Sequence, residues 1–107
     1  MQISKYDVSI DPVVNDRMLE HVRFLAKVSI PAAERLYESI KEAITELKDY
    51  PKSNPLYTMH DAQNFENIEL RYKLCGKRYR IVYEISGNNV YVYDIQDCRQ
   101  DSNYNLI

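Results

Sequence analysis

The sequence predicts an α+β domain of order β-α-α-β-β-β, with two N-terminal helices packed on one face of an antiparallel sheet. Three observations carry this. Residues 11–50 hold two runs of apolar side chains at three- and four-residue spacing, the period of helices with one buried face. Residues 68–96 instead alternate apolar and polar side chains in three runs, broken at Cys75-Gly76 and Gly87-Asn88, as strands joined by tight turns do. At 107 residues the chain suffices for one modest core. Helices and strands must share it, and residues 1–107 are expected to form a single domain.

Each element follows in order. ISKYDVSI alternates Tyr6, Val8 and Ile10 with Lys5, Asp7 and Ser9, the pattern of a half-buried strand. Asp11-Pro12 starts a helix, with Asp11 as N-cap and Pro12 at the first helical position. Val14, Met18, Val22 and Leu25 line one face of it, to about Val28. Pro31 opens a second helix, because Ile30 before it is pushed out of helical dihedrals. Ala33, Leu36, Tyr37, Ile40, Ala43, Ile44 and Leu47 form its apolar stripe, and Pro51 ends it. Residues 51–67, PKSNPLYTMHDAQNFEN, have no period and read as a surface loop. The strands are then IELRYKL, KRYRIVYEI and NVYVYDIQ.

The composition is 45% hydrophobic and 28% charged, a globular profile. No apolar run approaches the roughly 20 residues that span a bilayer, and the N-terminus lacks the basic start and apolar stretch of a signal peptide. A cytoplasmic location is expected, with no membrane partner. Cys75 and Cys98 are too few for a disulfide framework and suit a reducing compartment. With two histidines, the cysteines show no metal-ligand spacing, and neither a metal nor a small-molecule cofactor is expected. Tyr 10 against Phe 2 and Trp 0 indicates much half-wet amphipathic surface.

Charge is uneven. The chain's net charge is −2, yet residues 69–80 carry Arg71, Lys73, Lys77, Arg78 and Arg80 against Glu69 alone. If Cys75-Gly76 is a two-residue turn, Lys73 faces Arg78 and Arg71 faces Arg80. Leu70, Tyr72, Leu74, Tyr79, Ile81 and Tyr83 then point toward the helices, while Arg71, Lys73, Arg78 and Arg80 share the opposite face. Opposed like charges are destabilising, so something anionic is expected to lie on them. The alternative is an open sheet face covered by long cationic stems that block edge pairing. The same register places Asp94 on the core face of the last strand, which a bulge near Asp94, or an altered turn, would repair.

The order PAAERLYESIKEAITELKDYP, loop, LRYKLCGKRYRIVYEI, NNVYVYDI and DCRQD resembles the RelE/ParE superfamily of bacterial type II toxins. GKRYRIVYEI is similar to its G-x-Y-R-hydrophobic-x-Y strand and DCRQD to its H-G-R-R-D end. The resemblance implies a toxin held inactive by a cognate antitoxin, which wraps it with a helix and an extended segment. RelE-like members enter the ribosomal A site and cleave mRNA; ParE-like members poison DNA gyrase. For the nuclease reading, the resemblance implies Arg80 as phosphate stabiliser, with Arg99 and Tyr104 completing a catalytic set. Arg71, Lys73, Lys77 and Arg78 would grip the RNA backbone. Asp97 stands where other members carry histidine, and Gln100 replaces the second arginine. Proton transfer would then fall to Tyr104, a lysine, Glu66 or Asp101. The expected target is the ribosome and its mRNA; the alternatives are gyrase, or a toxin-like fold that only binds.

Other residues have bland and sharp readings. His60 is an ordinary loop residue or forms an acid/base pair with Glu66 near the sheet, and Glu66 either orients Arg71 or Arg80 or is simply solvated. Cys98 next to Arg99 is an unremarkable thiol, since no histidine is placed to activate it. Asp101 orients Arg99 or caps the chain end. Tyr91 and Tyr93 either stack on bases or pack under an antitoxin segment.

Overall fold

In the computed structural model, residues 5–57 and 69–98 are described. Strand β1 (Asp7–Ile10) leads directly into helix α1 (Pro12–Ala26), whose start is fixed as its sequence requires: the Asp11 carboxylate accepts the Val13 N–H at 2.8 Å, with Pro12 at the first helical position. Helix α2 (Ile30–Leu47) begins one residue earlier than Pro31 suggests, because the Ser29 hydroxyl caps the Ala32 N–H at 3.2 Å. A 3-10 turn (Pro51–Ser53) follows. Strands β2 (Leu70–Cys75), β3 (Tyr79–Ser86) and β4 (Asn89–Asp97) follow in the expected order.

The sheet order is β1-β4-β3-β2. Strands β2, β3 and β4 run antiparallel as expected, whereas β1 lies parallel to β4, with Asp7 opposite Asn89 and Ile10 opposite Val92. The chain reaches β4 only after the helical pair and the β2–β3 hairpin, so the first and last strands meet side by side rather than through a hairpin. The helices cover one face. Val14 and Met18 of α1 and Leu36, Ile40, Ala43 and Leu47 of α2 form one core with Ile81, Tyr83, Val90, Val92 and Ile95. Tyr83, fully buried, donates its hydroxyl to the Pro51 carbonyl and accepts from Asn54 Nδ2 at 2.9 Å, tying the 3-10 turn to the sheet centre.

Two register features decide which side chains share a face. In β4 one residue is inserted: Val82 faces Asp94 while Tyr83 faces Val92, leaving Tyr93 extra. This bulge returns Ile95, 2% exposed, to the core and spares Asp94, whose carboxylate meets Arg17 of α1 at 3.0 Å. The bulge, one of the two expected repairs, is present.

The β2–β3 register departs from expectation. The loop is Gly76-Lys77-Arg78, with Gly76 at φ +64°, so Cys75 pairs with Tyr79, Leu74 with Arg80 and Arg71 with Tyr83. Against the expected pairing, β2 has slipped by an odd number of residues, which exchanges its two faces. Arg71 and Lys73 therefore lie on the helix side. Leu70, Tyr72 and Leu74 lie with Arg80 on the other, and Leu74 is 62% exposed. The expected four-cation face of Arg71, Lys73, Arg78 and Arg80 does not form. The physical reason is that β2 is an edge strand beside α2, where long cationic stems reach polar partners that a core position would deny them. Lys73 pairs with Glu46 of α2; Arg71 donates to the Asn54 carbonyl at 2.6 Å and meets Glu69 at 3.5 Å. By contrast, the Gly87-Asn88 turn is a two-residue loop between paired Ser86 and Asn89, as expected, with Gly87 at φ +59°.

The same slip buries Cys75, a free thiol 3% exposed. Burial pushes it up from 9.0 to about 11, with Lys73 pulling weakly the other way. Because the folded value lies above the unfolded one, the stabilisation is whole below pH 9 and is lost as pH rises toward 11. Urea midpoints measured from pH 8 to 11 are expected to fall more steeply for the wild type than for Cys75→Ala. Equal slopes would exclude the thiol as the cause.

Candidate functional site

The face turned away from the helices is built by the strand alternation that fills the core. Ile81 and Tyr83 point inward from β3, so Arg80, Val82 and Glu84 point outward. Val90 and Val92 point inward from β4, so Tyr91 and Tyr93 stand on the open side, 39% and 46% exposed.

Arg80 is the centre of this face. Its guanidinium carbon lies 5.0 Å from the Tyr57 ring centroid and 5.8 Å from that of Tyr72, and its Nε donates to Gln96 Oε1 at 2.8 Å. The Tyr57 hydroxyl donates to the same Gln96 oxygen at 3.3 Å, and the two tyrosine rings meet edge to face at 6.3 Å. Three elements supply these groups: Tyr72 from β2, Gln96 from β4, and Tyr57 from a segment that adds to the β2 edge. That segment is held by Tyr57 N–H to the Leu70 carbonyl at 2.7 Å and Tyr72 N–H to the Pro55 carbonyl at 3.1 Å, with Leu56 bridging Arg71. A planar cation held over aromatic faces is pre-organised for a flat or anionic partner, since little rotamer freedom remains to be lost.

Further along the face, the Tyr93 hydroxyl donates to Glu84 Oε1 at 2.5 Å. That carboxylate, with lesser help from burial, pushes the phenol up to about 12. Tyr91, Tyr93 and Glu84 share a cleft of about 730 Å³ with Val13 and Arg17 of α1. The face thus divides into a half centred on the Arg80 cation and a half carrying the Glu84 acid.

The remaining expected site residues are dispersed. Lys77 and Arg78 sit exposed on the β2–β3 loop, where the Arg78 carbonyl accepts the Cys98 N–H at 2.5 Å. Arg71 and Lys73 are on the helix side. Arg99, Tyr104, His60, Glu66, Gln100 and Asp101 fall outside the described residues. Sequence reasoning missed Tyr57, Tyr72 and Gln96 as companions of Arg80. Tyr72 was assigned to the core by the two-residue turn, and Tyr57 lay in a stretch without period. The one available signal was the excess of tyrosine, which implied amphipathic surface without saying where.

Among the described residues no group of three or more histidine, cysteine or carboxylate side chains is placed to hold a metal ion, and no helix is long and apolar enough to cross a membrane. A family model described as the ParE toxin of the type II toxin-antitoxin system, parDE, matches residues 8–102. No curated protein matches the chain significantly.

Proposed function

The chain belongs to the family of ParE toxins of type II toxin–antitoxin systems, and we propose that it acts in the cytoplasm by binding DNA gyrase through its open sheet face. A cognate antitoxin holds it inactive. The observation that carries this reading is the hairpin register. With Arg71 and Lys73 engaged on the helix side by Asn54, Glu69 and Glu46, Arg80 is the member of the expected cation set that the sheet directs outward. Grip on a nucleic acid backbone scales with the number of phosphates neutralised, and two of the expected contacts are spent elsewhere. Arg80 amid Tyr57 and Tyr72 instead resembles a protein-binding anchor, an arginine in an aromatic setting.

A second reading, mRNA cleavage on the ribosome, is favoured by that same guanidinium, whose planar fork suits a phosphate. Induction of this chain alone separates the two. Gyrase-directed action is expected to stop growth with accumulation of gyrase–DNA cleavage complexes and an altered plasmid supercoiling state, while mRNA mapped by primer extension stays uncut. New cuts in translated mRNA with normal supercoiling would replace this reading by the second.

A further inference from the structure

The acidic half of the open face has a chemistry that the Arg80 half does not share. Tyr91 stands directly across from Glu84 in the β3–β4 ladder, and the bulge sets Tyr93 beside them on the same side. Two exposed phenol rings therefore neighbour one half-buried carboxylate in the cleft that Val13 and Arg17 of α1 complete. The Tyr93 hydroxyl keeps its proton far above neutral pH, so it holds the Glu84 carboxylate in place as a donor. The charge left in the cleft is negative. Its charged lining is Asp11, Arg17 and Glu84. Arg17 is already matched by Asp94 at 3.0 Å. Asp11 caps the Val13 N–H and so offsets the positive end of α1. Among the described residues, no cation lies within ion-pair distance of Glu84. A carboxylate beside exposed phenol rings favours an ammonium or guanidinium group, which the rings attract and the acid pairs. An anion would be repelled by Glu84 and Asp11, and a purely apolar group would bury Glu84 without a counter-charge.

We infer that this cleft receives an arginine or lysine side chain of the gyrase segment that docks on the open face. The inference rests on the gyrase reading above and gives the target segment a chemistry. Arg80 and Glu84 lie on one face of β3, roughly 13 Å apart at the ordinary strand rise. The face therefore presents a cation and an acid at a fixed spacing. A target segment with an acid and a base at the matching distance satisfies both. The same segment laid end for end would set like charges against each other. Two opposite charges thus select the direction of docking as well as the partner.

The test uses the purified full-length chain, with N-acetylarginine amide as a probe of the cleft and purified gyrase as the target. Titration with the blocked arginine is expected to shift the Tyr91 and Tyr93 ring resonances in the NMR spectrum. N-acetylglutamate amide should leave them in place, and so should the arginine probe added to Glu84→Gln. In a gyrase binding assay, Glu84→Gln is expected to weaken affinity about tenfold and Glu84→Lys about a hundredfold, each variant being shown folded by thermal unfolding. Tyr91→Ala should weaken it about three- to tenfold. Glu42→Gln, which removes an exposed carboxylate from α2 on the opposite side of the sheet, should change nothing. Unchanged gyrase affinity in folded Glu84→Gln and Glu84→Lys would overturn the inference, whatever the probe does. The gyrase reading would survive that result if Arg80→Ala lost affinity in the same assay. Ring shifts of equal size with the two blocked amino acids would also overturn the inference. Absence of gyrase binding by the wild type would remove inference and reading together.

Discussion

Arg80→Ala is expected to abolish growth arrest on induction while leaving the fold intact. The side chain is on the outer face, and its loss opens no cavity in the core formed by Ile81, Tyr83 and Val92. Its removal takes away the cation set over Tyr57 and Tyr72 and leaves Gln96 without that donor. Truncation of an anchoring arginine at an interface centre typically costs about 2–4 kcal/mol, roughly 30- to 1,000-fold in affinity. Arg80→Lys should recover only a small part of it, because lysine keeps the charge without the planar fork that stacks on tyrosine. Colony counts after induction give the first reading, and gyrase–DNA cleavage in extract gives the second. Thermal unfolding confirms that the variant is folded. Full toxicity in a folded Arg80→Ala would move the target-binding surface off this face.

The contrast between what could be read from the sequence and what could not is physical. The helices were legible because each buries a stripe at a fixed period and carries its own start signal. Asp11-Pro12 needed only local chemistry, and so did the stripe from Ala33 to Leu47. The bulge at Tyr93 was legible too, since burying Asp94 in place of Ile95 would have left a charge in the core. The hairpin register was not. Both alternatives give β2 a regular alternation, and the choice depends on whether Gly76 ends a two-residue loop or begins a three-residue one. Tyrosine and arginine blur the distinction further. Tyr72 is content on an outer face, and Arg71 can send its stem inward and find a carbonyl. The Arg80 site inherited that error: Arg80 itself was found through its motif, but its companions depend on long-range pairing of residues 55–57 with the β2 edge.

Unfolding measurements on two leucine-sized side chains settle the register in solution. Ile81 is fully buried, and it points inward whichever way β2 pairs. Ile81→Ala is therefore expected to cost about 2–5 kcal/mol, from lost transfer energy and the cavity left between sheet and helices. For a domain of this size, each kcal/mol lowers Tm by roughly 4–8 °C, so the transition should move far below that of the wild type. Leu74 carries the discrimination. A two-residue turn would put it in the core beside the helices, and Leu74→Ala would then cost nearly as much as Ile81→Ala. With Leu74 opposite Arg80 and 62% exposed, its truncation should change stability by no more than about 0.5 kcal/mol. A loss above 2 kcal/mol at Leu74 would return β2 to the other register and turn Arg71 and Lys73 outward beside Arg80. It would thereby restore the four-cation face and, with it, the case for an RNA-directed toxin.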